Sequence, residues 1–238
     1  MVNKAVIVAA GLSSRLYPLT LDTPKGLLKI NDETLLLRSI RLIKNLGISE
    51  VAVVIGYQSE TMIQALEGEA IVIVNPFYQH CNNMGSLWFA KNFVSNQPFL
   101  YMHGDIIYDE IILQSSHCEF LRNPYDLHLV TDFTEADEEA MKVKITPENF
   151  LVESNKQLSK QDSAGEWTGI AFINNSEAVF AYIEEALLAG NLNVYDTYAF
   201  TNMAGDGYKL YCSATNHLQW IEVDFLTDYE KAKRMFTL

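Results

Sequence analysis

The residues with the clearest chemical potential lie just after the first apolar run of the chain. Ala9-Ala10-Gly11-Leu12-Ser13-Ser14-Arg15-Leu16-Tyr17-Pro18-Leu19-Thr20 is followed closely by Thr23-Pro24-Lys25. A loop that leaves a buried strand through small residues lets its backbone N–H groups approach a polyphosphate closely. Arg15 and Lys25 then supply charge, Arg15 as a planar fork and Lys25 as a point cation. A lysine in such a loop is expected to serve the reaction and to contribute little to the core. Neither the dinucleotide fingerprint GxGxxG nor the phosphate loop GxxxxGK[ST] occurs, so those two solutions are excluded.

The elements around this loop read as alternating strands and helices. Lys4–Ala10 is a continuous apolar run, as expected for an inner parallel strand covered on both faces. Leu36, Ile40, Ile43 and Leu46 mark one helical face that stops at Gly47. Val51–Ile55 is a strand, and a helix over Glu60–Glu67 takes Ser59 as its N-cap. Ile71–Val74 and Phe99–His103 are further strands, the last running into Gly104-Asp105. This alternation implies right-handed βαβ units in a Rossmann-like, doubly wound α/β sheet, whose ligands bind at the carboxyl ends of the strands. The second half is less regular. Strands are expected at Leu127–Val130, Val143–Thr146, Ile170–Ile173, Tyr208–Cys212 and Trp220–Val223. Helices are expected from Ser176 to Ala189 and after a capping box at Thr227-Asp228-Tyr229-Glu230. No repeat, low-complexity tract or linker interrupts the chain, so residues 1–238 read as one domain.

Composition narrows the function. The 238 residues carry a formal net charge of −13, which supplies no positive field for a general nucleic-acid binder. A phosphate substrate must be met by a few cations placed locally. Three cysteines without paired spacing fit a reducing cytosol rather than a disulfide framework. No stretch has the apolar length of a membrane span. The pairs His80-Cys81 and His117-Cys118 lack the spacing of a zinc site and read as structural. His103 reads the same way, as a histidine finishing an apolar strand.

The stretch Ala9–Lys25 resembles the signature AAGxGxRLxPLT…PK of the nucleotidyltransferase superfamily that makes NDP-sugars and CDP-alcohols, with Ser13 where the family commonly has glycine. The resemblance runs over most of the chain. Gly56-Tyr57, Asn82-Asn83 with Ser86-Leu87, Gly104-Asp105, and Glu222-Val223-Asp224 with Asp228 follow in family-like order. The arrangement is most similar to bacterial choline-phosphate cytidylyltransferases and their phosphonate-using relatives. It implies a Mg²⁺-dependent transfer of CMP from CTP to a small phosphorylated alcohol, amine or phosphonate, with release of pyrophosphate.

Carried onto this chain, the resemblance implies catalytic roles for Lys25 and Arg15. Nucleotide contacts are implied at Ala9, Ala10, Gly11, Leu12, Gly56, Asn83, Ser86, Gly104 and Asp105, and Mg²⁺ ligation at Asp105 and Asp224. It divides the chain into a nucleotide-binding half, 1–110, and an acceptor half, 111–238, that adds the second metal ligand. The segment Glu139–Val143 implies Lys142 near the acceptor phosphate. Asn83 and Ser86 are equally turn and cap residues. Tyr195, Asp196, Tyr198 and Phe200, with Trp167 beside Glu166, have the composition of a cation-binding box, although such aromatic spacings also serve a core. Two other readings stay open: a sugar-1-phosphate nucleotidyltransferase using UTP, dTTP or GTP, and a non-catalytic nucleotide-sensing module. Sequence alone gives no oligomeric state.

Overall fold

A computed structural model describes residues 1–237. In chain order the strands are β1 Lys4–Ala9, β2 Lys29–Ile30, β3 Glu33–Thr34, β4 Glu50–Ile55, β5 Ile71–Val74, β6 Phe99–His103, β7 Ile106–Tyr108, β8 Leu127–Asp132, β9 Lys142–Ile145, β10 Leu151–Asn155, β11 Gly165–Ile173, β12 Leu210–Ala214 and β13 Trp220–Glu222. The helices are α1 Leu35–Asn45, α2 Ser59–Ala65, α3 Asn83–Trp88, α4 Lys91–Val94, α5 Glu110–Arg122, α6 Ser176–Leu188, α7 Thr197–Gly205 and α8 Leu226–Met235. None is long and apolar enough to cross a membrane.

Nine strands form one mixed sheet in the order β10-β9-β11-β6-β1-β4-β5, with β8 and β12 continuing from β11. The half built from β6, β1, β4 and β5 is parallel, and β11 joins β6 antiparallel. The sheet therefore takes strands from both halves of the chain. Side-chain alternation in β1 divides the core, because successive residues face opposite sides of a strand. Ala5 and Ile7 pack with Leu36, Ile40 and Leu100 on one face. Val6 and Val8 pack with Met84, Leu87, Phe180 and Phe200 on the other. Both faces are covered, which is why β1 is apolar from Ala5 to Ala9.

Several local details differ from the sequence expectation. Helix α2 begins at Ser59, and its N-cap is Gln58 in the left-handed region. Helix α8 begins at Leu226 rather than after Thr227. Asp228 stands in its first turn, and its carboxylate accepts the N–H groups of Asp224 and Phe225 at 3.1 and 2.7 Å. Helices α3, α4, α5 and α7 have no counterpart in the sequence reading. The α5 segment EIILQSSHCEFLR buries Ser116 among Ile112, Leu113 and Phe120, so its apolar stripe is broken. The stretch read as a possible aromatic box folds as α7, with Asp196 as N-cap and Phe200 fully buried.

A small antiparallel ribbon matters most for function. β13 pairs with β7, setting Glu222 opposite Ile106. The Val223 N–H donates to the Asp105 carbonyl at 2.9 Å. The chain's last strand is thus tied to the residues that leave β6.

Candidate active site

Lys25 opens a short 3-10 turn after Pro24. Its ammonium lies 2.9 Å from Asp105 Oδ2 and 2.6 Å from Asp224 Oδ1. Arg15 Nη2 is 2.6 Å from Asp224 Oδ2. Arg15 belongs to the loop after β1, which is pinned by Thr20 Oγ1 donating to the Ser13 carbonyl at 2.8 Å. Ser13 itself has φ 54°, a left-handed conformation that favours glycine. The loop is therefore built around the geometry that a glycine would adopt more easily.

The charges in this cluster are strongly coupled to their surroundings. Burial opposes the Lys25 charge, but Asp105, Asp224 and Glu222 overcome it and hold the ammonium well above the ordinary lysine range. Burial also penalises ionised Asp105, yet Lys25 and His103 keep its carboxyl below the usual value. Glu222 goes the other way: burial, then Asp105 and Asp224, push it up to about 7. His103 is raised to about 9, because Asp196, Asp105 and Glu222 outweigh the cost of burial.

The donor set fits a hard divalent cation. Asp105 Oδ1 is buried and has no hydrogen-bond partner among the described residues. Ligand atoms of His103, Asp105 and Glu222 lie within 4.8 Å of one another. Carboxylate oxygens with an unpaired buried member suit Mg²⁺.

A cleft of about 300 Å³ opens over the cluster. Its lining includes Gly11, Arg15, Lys25, Asn82 and Asn83 from the first half of the chain and Glu139, Lys156, Trp167, Gly169 and Tyr195 from the second. A smaller cavity of about 60 Å³ runs along Ala9, Ala10, Gly11, Asn83, Gly104 and Asp105. A Cβ on Gly11 would meet nothing within 4 Å, so open space lies over this residue. Gly104 serves close packing instead, since a Cβ there would come within 2.7 Å of Ala9 Cβ.

Other residues expected at the site lie elsewhere. Leu12 is exposed and lines neither cavity. Gly56 gives close passage to Tyr78 and the Ala10 carbonyl, outside both linings. Ser86 is buried and accepts from Asn75 Nδ2 at 3.0 Å, bracing α3 rather than meeting a base.

The acceptor side needs the larger correction. Lys142 is 3% exposed, and its ammonium donates to the carbonyls of Glu138 and Lys156 at 3.1 and 2.9 Å. That cation is spent on folding the β9–β10 region. Asp196 is fully buried and accepts from Tyr101 Oη at 2.6 Å and from the Thr197 N–H at 3.0 Å. Glu166 lies outside the cleft lining, whereas its strand neighbour Trp167 faces it, as alternation requires. Trp167 is itself mostly core, with Nε1 donating to the Ile170 carbonyl at 2.8 Å.

Among the cleft residues that sequence reasoning passed over, three are ionisable. Lys156 stands 3.6 Å from Glu139 Oε2 and 5.4 Å from the Tyr195 ring centroid. No local pattern separates it from Lys144 or Lys160. Glu222 carried a signal, because it ends β13 two residues before Asp224. His103 likewise ends β6 two residues before Asp105.

A doubly wound sheet with paired cations and carboxylates at its carboxyl edge suits nucleotidyl transfer, and comparison with known proteins places the chain among the nucleotidyltransferases. The chain belongs to the MobA-like NTP transferase domain family, which it matches over residues 5–167. It is 25% identical to CTP:phosphoglutamine cytidylyltransferase of Campylobacter jejuni, with 95% of this chain and 97% of that protein covered. It is 28% identical to choline-phosphate cytidylyltransferase of Streptococcus pneumoniae, covering 98% and 97%. The solved structure of CTP:phosphocholine cytidylyltransferase from Streptococcus pneumoniae shares the fold with a TM-score of 0.83 at 21% identity, over 98% of this chain and 99% of that one.

Proposed function

We propose that the protein transfers CMP from CTP to a small phosphorylated alcohol or amine, or to a phosphonate, and releases pyrophosphate. The observation that carries this reading is Lys25 and Arg15 meeting Asp105 and Asp224 at one point, with Asp105 Oδ1 left unpaired. Asp105 and Asp224 would hold Mg²⁺, with Glu222 beside them. When bound, the ion neutralises charge on the reacting phosphates.

The chain's own residues do the rest. Backbone groups of the Gly11 loop and the side chains of Arg15 and Lys25 receive the triphosphate, and Asn83 faces the nucleoside end. Lys156, in place of Lys142, meets the acceptor's phosphoryl group. That group has its second pKa near 6, so most of it is dianionic at neutral pH. An acceptor oxygen forms the new bond to the α-phosphorus while the α–β bridging bond breaks, and no proton needs to move. Catalysis is then alignment and neutralisation of charge. On this reading residues 1–110 serve the nucleotide and 111–238 the acceptor, within one catalytic unit. The three free cysteines accord with a cytoplasmic setting.

The preference for CTP is supported by the names of the two relatives and by Asn82 and Asn83 at the cleft, whose amides both donate and accept. Each unpaired polar group left by a wrong base costs about 1–3 kcal/mol. The test is pyrophosphate release for CTP, UTP, dTTP, ATP and GTP against phosphocholine, phosphoethanolamine, 2-aminoethylphosphonate and sugar phosphates. CTP should lead by about tenfold or more, and EDTA should stop turnover. Equal use of UTP, dTTP or GTP with a sugar phosphate would replace this reading with the sugar-nucleotide one.

A further inference from the structure

Phe225 is a large aromatic residue without a core to serve. It is 41% exposed and joins none of the three buried clusters among the described residues. Its ring instead lies under the Arg15 guanidinium, whose central carbon is 5.0 Å from the ring centroid. The preceding residue, Asp224, accepts from Arg15 Nη2 at 2.6 Å. Two consecutive residues therefore hold one guanidinium, a carboxylate at its edge and a ring beneath it. Nη2 makes the one hydrogen bond of the Arg15 side chain among the described residues, so Nε and Nη1 stay available to a ligand. Arg15 lines the cleft and Phe225 does not, so the ring can act on a ligand only through the arginine.

Asp228 fixes the backbone that carries both contacts. From the first turn of α8 its Oδ2 accepts the N–H groups of Asp224 and Phe225, at 3.1 and 2.7 Å. Helix α8 is seated in turn. Tyr229 Oη donates to the Lys29 carbonyl at 2.7 Å, and Ala232 is buried in one cluster with Leu16, Leu28 and Val223. Leu16 adjoins Arg15 and Val223 adjoins Asp224, so that cluster sets the spacing between the arginine's loop and the segment that grips it. An arginine with half its side chain exposed would otherwise sample many rotamers, and a polyphosphate would have to order it on arrival.

We propose that Phe225 and Asp228 are positioning residues that hold Arg15 ready for the nucleotide's phosphates, Phe225 through its ring and Asp228 through the 224–225 backbone. The proposal rests on the nucleotidyl-transfer reading and adds to it two residues outside the linings of both cavities.

The test is a double-mutant cycle on CTP affinity, measured by calorimetry in Mg²⁺, with pyrophosphate release recorded separately. Phe225→Leu keeps an apolar side chain and removes the ring face. It should weaken CTP binding about two- to fivefold, the range of an exposed cation–π contact, with acceptor KM and Tm near the wild type. Phe225→Tyr should restore the affinity. In an Arg15→Ala background, Phe225→Leu should cost nothing further. Asp228→Ala should weaken CTP binding about tenfold, as for loss of a charged acceptor. Asp228→Asn, which keeps an acceptor oxygen, should recover most of that. A second readout needs no ligand: NMR of the Arg15 Nε–Hε group should show lower side-chain order in Phe225→Leu and in Asp228→Ala.

Wild-type CTP affinity in Phe225→Leu overturns the proposal. So does an equal loss in the Arg15→Ala background, which would make the ring a direct contact of the nucleotide. If Asp228→Ala does not fold, the Phe225 cycle and the Arg15 resonance still decide. A wild type that binds CTP and obeys the cycle, yet releases no pyrophosphate with any acceptor, would remove the transfer reading and leave the positioning in place. A wild type that binds no CTP overturns both.

Discussion

Replacing Lys25 with methionine removes one ammonium and keeps most of the side-chain volume. The loop position invites the expectation that only activity suffers, but the structure places this cation between two carboxylates, with its own side chain 11% exposed. Removing one partner of a fully buried pair costs about 3–5 kcal/mol. Asp105 and Asp224 keep side-chain exposures of 26% and 17%, so water recovers part of that, and a loss of about 1–3 kcal/mol follows. In a chain of this size that lowers Tm by about 3–10 °C. Lys25 stays protonated below its raised pKa, so the loss is present in full at neutral pH. The rate effect is separate: losing one charge-stabilising donor lowers kcat by about 10²–10³. Pyrophosphate release gives kcat, and calorimetry with and without Mg²⁺ gives Tm. The ion should raise Tm more in the variant, where the carboxylates have lost their lysine. Wild-type kcat in Lys25→Met, with a lowered Tm, would refute the catalytic assignment and leave a purely structural bridge.

Three further outcomes are expected. Lys156→Ala should raise the acceptor KM about tenfold or more at nearly constant CTP affinity, whereas Lys142→Ala should mainly lower Tm because it frees two loop carbonyls. Ser13→Gly should hold or raise stability by up to about 1 kcal/mol in denaturant unfolding, and Ser13→Val should lose about 2 kcal/mol, since φ 54° penalises a β-branched residue. Glu166 is pushed up to about 7 by burial and by Asp137 and Asp132. Its folded form therefore holds a proton that the unfolded form releases near pH 4.5, so stability falls as pH rises between those values. Glu166→Gln should flatten that slope by about 1–2 kcal/mol after allowance for solvent screening, and an unchanged pH profile would refute the assignment.

The parallel half of the fold was legible because its signals are local. The β1 run, the helical stripe from Leu36 to Ile43 and the glycine stops each follow from period and turn chemistry within a short window. The cation-bearing loop after β1 was legible for the same reason, since Arg15 and Lys25 sit at fixed offsets from a strand end. The second half hid α5 and α7 because Ser116 breaks one stripe, and because Tyr198 and Phe200 look like a ligand box until α7 buries Phe200. Lys142 and Lys156 show the limit most plainly. Both are lysines in strand-like surroundings, and only the β9–β10 pairing decides which ammonium is used up on carbonyls and which reaches the cleft. No residue within a few positions of either lysine carries that information.

On the proposed function, the pairing pattern in the cleft also explains how a chain of net charge −13 handles polyphosphates. Each cation at the site lies against a carboxylate: Arg15 on Asp224, Lys25 on Asp105 and Asp224, Lys156 on Glu139, and His103 on Asp196. Long side chains held this way lose little further freedom when a phosphate arrives, and donors fixed in advance need little reorganisation during reaction. The same carboxylates restrict the positive potential to the space directly above them. A polyanion approaching the outer surface meets net repulsion, while a small phosphate inside the cleft meets oriented donors at short range. These donors converge on one cleft of about 300 Å³ that is lined by Gly11 and by Trp167 and Gly169 of β11, so they act inside it rather than across the outer surface.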